Sequence, residues 1–297
     1  MRIYRLIILL SFALQGYHFS VAAQELESFL EDQMKETTDF TSATFKSTRI
    51  LNGHSNELTK EGQLDFRISH RFGRINEGAY EFFGLDQAHI HLGLEYGIKD
   101  WVMVGIGRGT FEKTVDVFTK FSLLRQSTGV RNMPVSVTFM SGIYVNGLRW
   151  SDPERENYFR HRLSFVQQLM VTRKFSPGFS LQLTPSYLHR NFVETAADPN
   201  DIFALGAGSR LKLGKRVSLN AEYFYLFIPD VETLSTPIYN PLSLGIDIET
   251  GGHVFQIILT NSVGMTENAF LGHTTGRWLD GDIHIGFNIS RVFQIKK

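Results

Sequence analysis

The sequence predicts an all-β fold: a single transmembrane antiparallel β-barrel of about 12 strands, with 14 as the alternative. Three observations predict it. Segments of about ten residues alternate apolar and polar side chains with a period of two, the pattern of a strand with two unlike faces. Short connections alternate with longer ones along much of the chain, as periplasmic turns and outer loops do in such barrels. An export leader stands in front, and after residue 23 no apolar run approaches the length of a membrane helix. A soluble β-sandwich or solute-binding barrel shares the alternation, but so many strands in one exported domain weigh against both.

The closing stretch shows the alternation best. Ile283, Ile285, Phe287 and Ile289 point one way, and Asp282, His284, Gly286, Asn288 and Ser290 the other, so the strand is read over 281–293. The apolar row suits lipid and the polar row a lumen.

Residues 1–23 read as a signal peptide. Arg2 and Arg5 supply the charge, Leu6 to Leu14 the apolar region, and Val21-Ala22-Ala23 the small residues before cleavage. Residues 24–40 read as an acidic periplasmic segment with a short helix, in which Leu26, Phe29, Leu30 and Met34 share one side. A small plug or docking helix is the sharper reading of that segment. Residues 41–297 form the barrel.

The chain has 297 residues with 30 basic and 30 acidic side chains, and loss of the leader leaves 28 against 30. That balance gives no basis for nucleic-acid binding. Cysteine is absent, which excludes disulfides, thiolate metal sites, a cysteine nucleophile and a cysteine-linked lipid anchor.

Thirteen strand candidates are visible, and an even number is the rule. The first, Thr41 to Ile50, is short and is the one to drop; the polar loop 52–55 follows it. Gly62 to Phe72 places Leu64, Phe66 and Ile68 outward and Asp65, Arg67 and Ser69 inward. Gly73 to Leu85 reads as a structured loop or short helix. Ala88 to Ile98 and Trp101 to Thr110 form a hairpin, with Ile90, Leu92, Leu94 and Tyr96 outward and His89, His91, Gly93 and Glu95 inward. The inward glycines of the second arm, Gly105 and Gly107, make room for larger neighbours.

Strands follow over 116–125, 134–145, 160–174, 178–190, 202–213, 216–228, 242–250 and 253–262. Tight turns are expected at 99–100, 175–177, 214–215 and 251–252. Longer loops are expected at 126–133, 151–157, 191–201, 229–241 and 263–277, while 111–115 breaks the alternation. Tyr223, Tyr225 and Phe227 suit an aromatic girdle at one membrane boundary.

No nucleophile elbow, zinc-protease motif, Walker loop or calcium loop is present. Gly105-Ile106-Gly107-Arg108-Gly109 lacks the Lys-Ser/Thr ending and the helix of a phosphate loop. The candidate lumen cluster is Asp65, Arg67, His89, His91, Glu95, Glu222, Asp282 and His284. His89, His91 and Glu95 share a face and include two imidazoles and a carboxylate, a donor set suited to zinc or iron. A hydrogen-bonded polar interior is the plainer reading, and no cofactor is expected. Arg71, Arg210 and Lys212 also point inward by parity. His70 shares the outward parity of Ile68, so a lipid-acting enzyme would use it at the outer wall, although Ser69 faces the other way.

The stretches Phe45 to Arg49, Asn52-Gly53-His54-Ser55, Phe66 to Arg74 and Gly84-Leu85-Asp86-Gln87-Ala88 resemble an uncharacterised family of Bacteroidetes-type outer-membrane β-barrels. Asp116 to Gln126 and Thr260 to Thr266 resemble it too. The resemblance implies fold and outer-membrane location and carries no activity. It marks Asn52, His54, His70, Arg71, Asp86 and Gln87 as a shared site or as braces of the barrel.

The expected role is passage of a small solute. A structural or accessory barrel that binds a periplasmic or surface partner is the first rival, and a lipid-modifying enzyme the second. The expected partners are outer-membrane lipid, the barrel assembly and periplasmic chaperone machinery, and a small solute.

Overall fold

The computed structural model describes residues 25–31 and 37–296. The leader 1–23 and Met34 lie outside the described residues. Residues 25–31 are helical, with Leu26, Phe29 and Leu30 exposed.

A small unit and a large one make up the described chain. In the small unit Thr38–Phe40 pairs antiparallel with Ser127–Gly129, Phe40 opposite Ser127. The large unit is a closed antiparallel barrel of twelve strands. In chain order they are β1 (Gln63–Arg74), β2 (Ala88–Lys99), β3 (Val102–Gly109), β4 (Val115–Leu124), β5 (Ser136–Val145), β6 (Leu163–Ser176), β7 (Phe179–Arg190), β8 (Asp201–Lys212), β9 (Val217–Leu226), β10 (Leu242–Thr250), β11 (His253–Thr260) and β12 (His284–Gln294). Each pairs with its neighbours in sequence, and β12 closes the ring on β1. No described helix is long and apolar enough to cross a membrane; the crossing is made by strands.

The two faces of each strand explain the alternation. Leu92, Ile106, Val117, Ile143, Leu183, Leu205 and Ile257 stand exposed on the outer wall. A continuous exposed apolar wall of this kind is stable only against lipid. Rings mark both rims. Tyr187 packs on Phe203 and Tyr225 on Phe227, each pair with ring centroids 5.0 Å apart, toward the loop end. Trp101, Phe175 and Phe179 are exposed at the turn end.

The loop end carries the connections 75–87, 110–114, 146–162, 191–200, 227–241 and 261–283. The turn end carries 100–101, 125–135, 177–178, 213–216 and 251–252. Short turns face the periplasm and longer loops the outside in barrels of this type. Strand order corrects one expectation here. The connection at 126–133 belongs to the turn end despite its length, and the short 110–114 connection belongs to the loop end.

Thr41 to Ile50, the surplus strand candidate, is not a strand. Residues 44–59 run inside the barrel without regular pairing to the wall. Phe45, Ile50 and Leu51 are buried there against Ile258 of β11. From the loop end, the helix Glu267–Gly272 also enters the lumen, and all six of its residues are buried. Phe270 and Leu271 join inward-facing Met103, Met140, Met170, Leu188 and Phe224 in an apolar core. One side of this lumen is therefore as apolar as a soluble protein's interior, which the expectation of a polar lumen did not include.

Candidate functional site: a filled lumen and a loop-end cavity

Residues 48–55 form a tight hairpin within the lumen segment. Ser55 N–H donates to the Thr48 carbonyl at 2.9 Å and Ile50 N–H to the Gly53 carbonyl at 2.9 Å. Asn52-Gly53 supplies the turn chemistry. A backbone that makes no sheet ladder must find other partners when buried. The wall provides them. Gln256 donates to the Ile50 carbonyl at 2.8 Å, Asn288 to Leu51 at 2.9 Å and Gln182 to His54 at 2.7 Å. Lys120 Nζ donates to the Glu57 carbonyl at 2.6 Å. In return the Gly53 N–H donates to Glu222 Oε2 at 3.0 Å. The inward polar row of the strands thus serves as a hydrogen-bonding sleeve for this plug.

Glycines on the wall make space for its apolar residues. A Cβ on Gly208 would lie 2.3 Å from Ile50 Cδ1, and one on Gly245 2.5 Å from Leu51 Cδ2. The glycines of β3 do the same for wall side chains. A Cβ on Gly105 would strike the Phe118 ring at 2.3 Å, and one on Gly107 would strike His91 Nε2 at 2.4 Å. The glycine-rich run at 105–109 is a strand that leaves room, with no phosphate cradle.

Two carboxylates tie the plug to its surroundings. Glu267, on the helix from the loop end, meets Arg49 Nη1 at 2.5 Å and accepts from the Tyr144 hydroxyl at 2.6 Å. Glu95 accepts from Thr48 Oγ1 at 2.5 Å and lies 3.8 Å from Arg49 Nε and 3.9 Å from Arg67 Nε. Arg67 also pairs with Asp65 at 3.1 Å and donates to Ser47 at 2.7 Å. Arg71 is wholly buried; it donates to Asn52 Oδ1 at 2.6 Å and to Asn288 Oδ1 at 3.1 Å and makes no ion pair among the described residues. The cavity left between Arg67, Arg71, His91 and Glu95 is about 10 Å³, room for a single water.

His54 sits at the centre of the plug with its ring edge-on to Phe118, centroids 4.5 Å apart. Its Nε2 is 3.6 Å from Glu267, too far for a hydrogen bond, and neither ring nitrogen has a partner. Burial holds its pKa well below the ordinary 6.5, and the nearby Arg49, Lys120 and Arg67 charges add to that. The seated plug therefore carries a neutral His54, whereas an unseated one binds a proton below about pH 6.5. Seating contributed by this residue is complete above pH 6.5 and weakens as pH falls below it, by up to about 1.4 kcal/mol per pH unit. Hydrogen exchange of the 42–62 amides, corrected for intrinsic rate, should accelerate from pH 7 to pH 5, and His54→Gln should flatten that dependence.

The predicted lumen cluster divides. Arg67, Glu95 and Glu222 grip the plug as described, and Asp65 pairs with Arg67 on the wall. His91 Nε2 lies 2.7 Å from Asp116 Oδ1 on the neighbouring wall. His89 and His284 instead lie at the loop end, so the three-residue face His89, His91, Glu95 does not converge. Among the described residues, no three His, Asp or Glu side chains are placed to hold one metal ion. Asp282 corrects the reading of the closing strand, which begins only at His284. The chain at Gly281 is left-handed, and Asp282 stands in the loop, 3.2 Å from Arg74 Nη1.

The family-pattern residues divide too. Asn52, His54 and Arg71 meet in the lumen. His70 faces outward, stacked on Phe287 with centroids 5.0 Å apart, and its Nδ1 has no hydrogen-bond partner. Asp86 and Gln87 are exposed at the loop end. Glu267 and Tyr144 were not among the expected residues. The acidic first turn and buried Phe270-Leu271 of a six-residue helix give too little sequence for a 3.6-residue period to show.

At the loop end a cavity of about 260 Å³ opens between the rims of β1, β2 and β12 and the loop 261–283. Arg74, Glu77, Gln87, His89, His273 and His284 line it. Arg74 is engaged by Asp282 and by Thr275 Oγ1 at 2.9 Å, and Glu77 by Gln87 at 3.1 Å. His284 Nδ1 lies 2.8 Å from the Phe72 carbonyl, so Nδ1 carries the proton and Nε2 is an acceptor.

Residues 45–293 match the family described as "Membrane bound beta barrel domain (DUF5777)". The chain belongs to this family. With the lipid-facing wall, this membership places the DUF5777 barrel in the outer membrane. No curated protein matches it in sequence. Among solved structures it is similar to the NanC porin, at 8% identity over 79% of this chain and 100% of that one, TM-score 0.47. It is similar to the COG4313 outer membrane channel from Pseudomonas putida F1, at 8% over 80% and 97%, TM-score 0.47. It is also similar to the outer membrane phospholipase A from Escherichia coli, at 12% over 77% and 89%, TM-score 0.43. No functional conclusion rests on likenesses this distant.

Proposed function

We propose that this outer-membrane barrel is a gated passage for a small solute, closed at rest by the segment 42–62. One observation carries the reading. The plug fills the lumen, yet along the hairpin 48–55 it is held by side-chain hydrogen bonds and ion pairs, with no strand ladder to the wall. Contacts of that kind can be released without unzipping the barrel. A role limited to bracing the membrane does not call for such a filling.

In this reading residues 1–23 export the chain, residues 24–40 lie on the periplasmic side, and barrel assembly and periplasmic chaperone machinery insert the barrel. The outward His70 has no hydrogen-bonded serine beside it among the described residues, which gives the lipid-acting alternative no support at that position.

The test is conductance in planar bilayers of the whole protein and of a variant lacking residues 42–60. The whole protein should be silent or nearly so. The deletion should conduct steadily, by at least about tenfold more, because water-filled lumens conduct. A correctly folded deletion that stays silent to ions and small solutes would overturn the reading.

A further inference from the structure

The cavity at the loop end is not used by the plug, and its chemistry narrows what it can hold. Its two formal charges, Arg74 and Glu77, are opposite in sign. Each already has a partner: Arg74 has Asp282 and Thr275, and Glu77 has Gln87. An anion would have to displace the Asp282 carboxylate, and a cation would face Arg74. What remains free is a surplus of neutral groups. His284 offers the Nε2 acceptor left by its bond to the Phe72 carbonyl. His89 Nδ1 is buried without a partner. The His89 and His273 rings line the cavity, each braced from behind by an edge contact with Phe111, at 6.1 Å and 6.0 Å.

We infer that this cavity binds a neutral, hydroxyl-rich solute of about monosaccharide size. Hydroxyls donate and accept at once, which suits a wall of neutral imidazole and amide groups that includes the His284 acceptor. Imidazole faces suit the C–H faces of a sugar ring. The volume of about 260 Å³ falls just below the usual range for drug-sized ligands, which suits a single small ring. The inference names the solute class for the gated passage proposed above and rests on that reading only for the claim that the solute crosses.

The test is calorimetry on the full-length barrel in detergent, titrated separately with glucose, galactose, N-acetylglucosamine, inorganic phosphate and ethanolamine. At least one of the neutral sugars should bind, and phosphate and ethanolamine should not compete. Gln87→Ala, an exposed change that leaves the strands intact, and His284→Phe should each weaken that binding by about tenfold, the scale of one or two lost hydrogen bonds. The proposal is overturned if none of the sugars binds, if a charged probe binds in preference, or if both variants bind like the parent. Because the barrel is titrated closed, this result is separate from the conductance of the plug deletion.

Discussion

Replacing Glu267 with alanine should unseat the plug. The carboxylate is buried and serves Arg49 at 2.5 Å and the Tyr144 hydroxyl at 2.6 Å. Its loss leaves a buried guanidinium with Glu95, 3.8 Å away, as its remaining ion pair beside the Asn52 carbonyl at 3.2 Å, and leaves a buried hydroxyl without its acceptor. Removing one partner of a buried ion pair costs about 3–5 kcal/mol, mostly the penalty of the charge left behind. The twelve-strand ladder makes no use of Glu267, so the cost falls on the contacts of the loop helix with the plug and with Tyr144 of β5. The absence of cysteine allows a clean readout. Ser55, wholly buried in the hairpin, becomes the only thiol in Ser55→Cys. Maleimide should label it slowly in the parent background and much faster with Glu267→Ala. Equal labelling rates would show that Glu267 does not hold the plug. Glu267→Gln, which keeps a hydrogen-bond acceptor but not the charge, should fall between the two.

The second large effect is expected at Gly97. A Cβ there would lie 2.0 Å from the Lys60 carbonyl oxygen and 2.4 Å from that of Thr59. Those atoms are backbone, so no rotamer change relieves the collision. The same glycine accepts the Gly62 N–H at 2.9 Å, the bond that roots the plug where it turns into β1. Gly97→Ala should therefore cost about 3 kcal/mol, the upper end for overpacking. The measurement is the urea midpoint of the barrel in detergent, alongside hydrogen exchange at residues 58–62. Gly214→Ala is the control, since a Cβ at that turn meets nothing within 4 Å. Similar midpoints for the two variants would remove the role assigned to Gly97.

The barrel was legible because lipid on one side and a packed lumen on the other impose a period of two, and that survives in single strands such as Leu64 to Arg71. The strand count was legible for the same reason, with Thr41 to Ile50 as the surplus. What that surplus segment does was not legible. Inside a lumen all its sides are covered, so Phe45, Thr48, Arg49 and Ile50 are buried alike and no face is marked. Asp65, Arg67, Glu95 and Glu222 are buried on the side parity gives them, whereas Asp282 stands in a loop and Lys212 is exposed; parity gives direction and not height. It could not tell that His89 and His284 stand at the rim while His91 and Glu95 lie deep. Nor could it show that polar residues such as Gln182, Gln256 and Asn288 serve the backbone of the plug. Their partners lie far away in sequence, with |i−j| up to 237 for Asn288 and Leu51.

The join between β12 and β1 is the one neighbouring pair in the ring with no connecting turn. The plug hairpin lies across it. Arg71 on β1 reaches Asn52, Asn288 on β12 reaches Leu51, and the two wall residues bond each other at 3.1 Å. The segment that stops the lumen is thus also an internal clasp on the seam. A motion that frees the hairpin gives up part of what keeps the cylinder shut, so opening the path and keeping the ring intact draw on the same three side chains.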